Sequence, residues 1–144
     1  MLKKTSLYCA LILSLFTAGI IACASTQPVK AQPEEIRNAK TSLDWEGQYE
    51  GEIPSASGSG IHVTLTLHSD HTFLMVYDYI GREDSISNAE GTFTWDEAGN
   101  VVILEHESLP PYYQVGEGYL RQLDLEGNAI TGNLAEMYVL RKTE

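Results

Sequence analysis

Between residues 45 and 141 short apolar runs alternate with clusters of turn formers, and within the runs the apolar positions recur every second residue. Residues 61–67 are the plainest case, with Ile61, Val63, Leu65 and Leu67 on one side and His62, Thr64 and Thr66 on the other. Successive side chains of a strand point to opposite faces, so this segment has a core face and a wet face. Ser69 and Asp70 make a tight turn, and residues 72–79 run back with Phe73, Met75, Tyr77 and Tyr79 on one face. That pair predicts a hairpin. Further strands are predicted at 45–53, 90–95, 101–105, 112–115, 119–123 and 137–141, separated by turn chemistry at 81–84, 96–100, 109–111, 116–118 and 126–128. About eight short strands with no helical period predict an all-β antiparallel meander. Closure into a barrel or a sandwich would remove its open edges. The sequence shows no internal repeat and no second domain.

Residues 24–42, ASTQPVKAQPEEIRNAKTS, hold few apolar residues and no aromatics. They read as a flexible tether that spans on the order of 25 Å as a coil. A short helix over 34–40 is the alternative, marginal on its own at that length. The expected organisation is a removable segment over 1–22, a cysteine and tether over 23–44, and one β domain over 45–144.

The removable segment begins with Lys3 and Lys4, continues through apolar residues 7–21 and reaches Ile20, Ile21, Ala22 and Cys23. This is the order of a secretory signal. The apolar run is about fifteen residues, short of the roughly 18 to 20 a spanning helix needs. A cysteine directly after Ala22, with aliphatic Ile20 three residues before it, resembles a bacterial lipobox. The plainer alternative makes Cys23 a late residue of an ordinary signal peptide. The lipobox resemblance implies a diacylglycerol on the Cys23 thiol and an acyl chain on the new amine, and several chains hold a protein where one does so only marginally. Ala24, rather than Asp, follows the cysteine, which in Gram-negative bacteria implies transit to the periplasmic face of the outer membrane.

Charge narrows the partners. The whole chain carries −11, and loss of residues 1–22 leaves 7 basic residues against 20 acidic, a net −13. Anionic headgroups and nucleic acid both select Lys and Arg patches, so the expected membrane contact is the lipid alone and no nucleic acid is bound. Cys9 lies in the signal and Cys23 is committed to lipid, so the domain has no disulfide to rely on. About a hundred residues bury enough apolar surface to be stable without one.

Several landmarks recur in a fixed order. Trp45, Glu46, Gly47 and Tyr49, Glu50, Gly51 lead into Ile53 and Pro54; Gly60 and Ile61 open Leu65, Thr66 and Leu67; Asp70, Thr72 and Phe73 follow, then Gly91, Thr92 and Phe93, and 120–130 reads LRQLDLEGNAI. Together they resemble the N-terminal domain of the NlpE family, outer-membrane lipoproteins of copper resistance and envelope stress. The resemblance implies a lipocalin-like β-barrel and, as partners, an envelope sensor or lipoprotein-trafficking proteins. Two departures limit it. The family's Cys-x-x-Cys after the first-loop proline is replaced by Ser55 and Gly58, and neither supplies the soft thiolate that selects Cu(I) or switches by redox. The sequence ends at Glu144, so the second domain of longer members is expected to be absent.

Candidate sites follow from the same reading. Ser55, Ser57, Gly58 and Ser59 form a Gly/Ser-rich loop that is either a barrel rim meeting a partner or a plain connection. His68, Asp70 and His71 sit at one hairpin end and are candidates for a borderline metal, with ordinary surface turn residues as the alternative. His62 and His68 are about 20 Å apart along a strand and cannot chelate together. Met75 and Met137 lie among apolar strand residues, and Glu105 and Glu107 read as a solvated edge. No nucleophile elbow, zinc-enzyme motif or mature nucleophilic cysteine occurs, so no enzyme activity and no cofactor are expected. The leading reading is an accessory envelope lipoprotein. One alternative is a lipocalin-like carrier of a small hydrophobic ligand, with Phe73, Met75, Tyr77, Phe93 and Trp95 lining a cavity. Another is an inhibitor that inserts the Ser/Gly loop.

Overall fold

The computed structural model describes residues 37–56, 58–83 and 86–143. Eight strands follow one another around a closed antiparallel barrel: β1 (Gly47–Ile53), β2 (Ile61–Leu67), β3 (Thr72–Tyr79), β4 (Ile86–Trp95), β5 (Val101–Glu105), β6 (Tyr112–Gly116), β7 (Tyr119–Gln122) and β8 (Val139–Lys142). The predicted all-β meander is therefore the fold, and it closes as a barrel. β1 and β2 pair from Gly47↔Leu67 to Ile53↔Ile61, and β2 and β3 from Ile61↔Tyr79 to Leu67↔Phe73. This register places the alternate apolar residues inside: Val63, Leu65, Leu67, Phe73 and Met75 are all buried.

Tyr49, Phe93, Val102, Tyr113, Leu120 and Leu140 complete the middle of the core. Each large apolar side chain removed from water contributes roughly 1.5–3 kcal/mol, which makes this interior the dominant stabilising element. Closure depends on one close approach. β8 meets β1 at Tyr49↔Lys142 and Glu50↔Arg141, and a Cβ on Gly51 would stand 2.9 Å from the Val139 carbonyl and 2.8 Å from Leu140 Cδ2. A side chain there would push the closing strand away.

The structure departs from the sequence pattern in three places. Residues 38–42, expected in the tether, are folded: Asn38 caps a one-turn helix, α1 (Ala39–Ser42), by accepting from Thr41 N at 3.1 Å. The turn between β4 and β5 holds α1 in place, because Ala39 N donates to Asn100 Oδ1 at 3.0 Å and Lys40 N to Gly99 O at 2.9 Å. Ala39 is only 6% exposed and belongs to the core, with Leu43 and Trp45 packed against it. Trp45 lies ahead of β1 and is tied back through Nε1 to Lys40 O at 3.2 Å, while Tyr49 Oη donates to Trp45 O at 2.7 Å. Lys142 Nζ reaches Asp44 Oδ2 at 2.7 Å. Secondly, β4 starts at Ile86 rather than 90, because all of β3 needs a partner. Thirdly, Met137 falls in a 3-10 turn, Ala135–Tyr138, and β8 begins only at Val139. α1 thus covers one end of the barrel, and the described parts of the other connections, 54–56, 58–60, 80–83, 106–111 and 123–138, surround the other.

Candidate functional site

At the α1 end, the β2–β3 turn carries the metal-ligand candidates. His68 N donates to Thr72 O at 2.9 Å, His71 N donates to His68 O at 3.0 Å, and His71 adopts a left-handed φ of 66°. Asp70 Oδ1 accepts from Thr72 Oγ1 at 2.6 Å and from Thr72 N at 3.0 Å. The Thr72 hydroxyl, then its amide, hold the Asp70 carboxyl below the usual carboxylate range. The His71 ring lies 5.2 Å from that of Phe93 and 6.3 Å from that of Trp45. Asp70 thus serves the turn and His71 an aromatic cluster. Among the described residues, no group of three or more His, Cys, Asp or Glu is placed to hold a metal.

At the other end, the first loop brings Ser55 and Gly58 together. A Cβ on Gly58 would stand 3.5 Å from Ser55 Oγ and 4.0 Å from Ile80 O. Two cysteines at these positions would lie within bridging range. Ile80 N donates to Gly60 O at 3.1 Å, which ties this loop to the end of β3. Ser59 is exposed, and Ser57, like Cys23, lies outside the described residues.

Beside this loop Tyr77, Tyr79, Ser87, Asn88, Ala89, His106, Ser108 and Leu109 line a hollow of about 270 Å³ in the barrel wall. Ligand sites for drug-sized molecules usually occupy about 300–1,000 Å³, so this one suits a single side chain or ring. Behind it the Tyr113 and Tyr77 hydroxyls are hydrogen-bonded, and burial pushes both phenols up, Tyr113 well above the ordinary value. Of the five residues expected to wall a ligand cavity, only Tyr77 lines this hollow. Phe73, Met75 and Phe93 are packed into the core. Trp95 packs at 5.5 Å against Trp45 and 6.4 Å against Phe93, and its buried Nε1 has no partner among the described residues. The sequence pattern missed Ser87, Asn88, Ala89, Ser108 and Leu109. Residues 87–90, SNAE, carry no large apolar side chain, because the inward Ser87 and Ala89 meet the hollow.

The model of the NlpE N-terminal domain matches residues 49–133, well over half of the chain. Lipoprotein NlpE of Escherichia coli strain K12 is 29% identical over 135 residues, which cover 90% of this chain and 54% of the relative. The chain therefore spans about half the length of that curated relative. A crystal structure from Shewanella oneidensis, of a protein described as a lipoprotein, matches with a TM-score of 0.67 and 46% identity, over 73% of this chain and 94% of that one. The crystal structure of the Cpx pathway activator NlpE from Escherichia coli matches with a TM-score of 0.52 and 29% identity, over 60% of this chain and 46% of that one. The closed eight-stranded barrel and the family match across β1 to β7 agree, and the chain belongs to the NlpE family through its N-terminal domain.

Proposed function

We propose that this protein is a lipid-anchored, non-catalytic lipoprotein of the cell envelope, held by Cys23 at the periplasmic face of the outer membrane, whose barrel carries a signalling role in envelope stress without thiol chemistry. The observation that carries the reading is the intact family barrel with Ser55 and Gly58 facing each other where the family resemblance has cysteines. The Escherichia coli relative is described as an activator of the Cpx pathway. That activity would need only the anchor, the tether and the barrel here, with an envelope sensor or lipoprotein-trafficking protein as partner. A thiol-based copper role has no support at 55 and 58. The carrier reading loses support because Phe73, Met75 and Phe93 belong to a packed core.

Detergent-phase partitioning and an envelope-stress reporter test the proposal together. Wild-type protein should enter the detergent phase and, when overproduced, induce the reporter. Cys23→Ser should stay in the aqueous phase and leave the reporter silent. Identical partitioning of the two proteins would refute the anchor, and a reporter indifferent to the substitution would refute the role.

A further inference from the structure

β4 outruns its neighbour. Its ladder with β3 continues from Thr92 to Ile86, whereas its ladder with β5 covers only Thr92–Trp95. In an antiparallel sheet alternate residues direct their N–H and C=O to the same neighbour. Phe93 N donates to His71 O on the β3 side and Asp96 N to Val101 O on the β5 side, both at 2.9 Å. By that parity Ser87, Ala89 and Gly91 bond to β3, and Ile86, Asn88 and Glu90 present their backbone groups toward β5. β5 has ended by then. The chain turns at His106, whose Nδ1 accepts from Ser108 N at 3.3 Å, and the hollow lined by Tyr77, Ala89 and Leu109 lies where a further strand would pair.

We propose that this open edge docks an extended, basic peptide segment of a partner protein, which adds to β4 as a strand and places one apolar side chain in the hollow. A row of alternate backbone donors and acceptors selects an extended chain, with side-chain pockets giving specificity. The hollow of about 270 Å³ has room for one such side chain. Charge selects the sign: Glu90 lies on the edge itself, Glu105 pairs with Thr92 where the ladder to β5 ends, Glu107 follows in the β5–β6 connection, Glu83 lies in the β3–β4 connection, and residues 23–144 carry a net −13. The nearby cation, Arg82, sits 5.7 Å over the Tyr79 ring. Exposed edges are commonly blunted by Lys, Pro or a bulge. Residues 86–91, ISNAEG, contain neither Lys nor Pro, and Ile86 is 71% exposed beside them. The inference stands independently of the signalling role, because it rests on the β4 edge, the hollow beside it and the local charge.

The test uses the mature lipoprotein in nonionic detergent and fluorescein-labelled peptides read by anisotropy. The probe is Lys-Val-Lys-Val-Lys-Val-Lys; controls replace every Lys by Glu or the central Val by Pro. The alternating basic peptide should bind saturably and both controls at least about tenfold more weakly, the Pro control because a backbone donor is lost and the Glu control because its charges meet an acidic edge. Asn88→Pro removes an N–H aimed at the gap and no β3 bond, so it should weaken binding about tenfold with an unchanged melting temperature, and Glu90→Lys should weaken it too. N-methylation of successive peptide amides should abolish binding at alternate positions only, a readout that needs no change to the protein. Absence of binding, equal binding of the Pro control, or losses that ignore the alternation would overturn the proposal.

Discussion

Tyr49 and Tyr113 are the buried phenols on which the core's response to alkali depends. Burial, and then the charge of Asp44, push Tyr49 up to about 12, and burial pushes Tyr113 well above its ordinary value. A folded-state pKa above the unfolded value of about 10 means that these groups' stabilisation is complete below pH 10 and is lost as pH rises toward 12. The melting temperature should therefore fall across that window, and phenolate absorbance should show the buried tyrosines ionising with unfolding. Tyr49→Phe should soften the alkaline loss while costing about 1 kcal/mol at neutral pH, because the Trp45 carbonyl loses its donor. At the rim, a Cβ on Gly58 would meet, among the described residues, nothing closer than Ser55 Oγ at 3.5 Å. Ser55→Cys with Gly58→Cys should fold, form a reversible disulfide seen as the loss of two hydrogens in the mass, and bind Cu(I) when reduced. A pair that stays unbridged under oxidant would contradict the facing geometry. The residue types of His68, Asp70 and His71 were legible in the sequence, but their use was not. A turn hydroxyl and an aromatic neighbour, Thr72 and Phe93, decide what Asp70 and His71 do.

Among the elements, β2 was legible because its apolar residues alternate with His62, Thr64 and Thr66, and β3 because the turn at Ser69 and Asp70 sends an aromatic-rich run back beside it. The start of β4 was hidden, since Ser87 and Ala89 face a hollow while Ile86, Asn88 and Glu90 face solvent or the open edge. The length of β3 was the available clue, because eight residues of strand require a partner of matching length. α1 was hidden for a different reason. A helix of one turn has no period to read, and it persists through tertiary bonds to Gly99 and Asn100. A chain beginning at Trp45 should consequently melt at least about 10 °C below one beginning at Arg37, since the Ala39 and Lys40 bonds to the β4–β5 turn, the Trp45–Lys40 bond, the Lys142–Asp44 pair and the burial of Ala39 are together worth at least roughly 2 kcal/mol. Equal melting temperatures would return residues 38–44 to the tether.

For the molecule as a whole, the barrel follows from eight strands in meander order, each pairing with the next, and from a glycine that lets the last strand close on the first. Its buried interior accounts for the stability of a barrel domain that contains no cysteine, and its acidic surface is consistent with the proposed attachment through a lipid on Cys23. The proposed role then depends on where an anchored barrel resides. The direct measurement is envelope-stress reporter output at matched protein levels for wild type and Ala24→Asp, a substitution chosen to retain the lipoprotein in the inner membrane. Wild type should induce the reporter, and Ala24→Asp should induce it more strongly. A silent reporter with both proteins, alongside submicromolar Cu(I) affinity of the wild-type barrel, would contradict the proposed role and make metal handling the leading function.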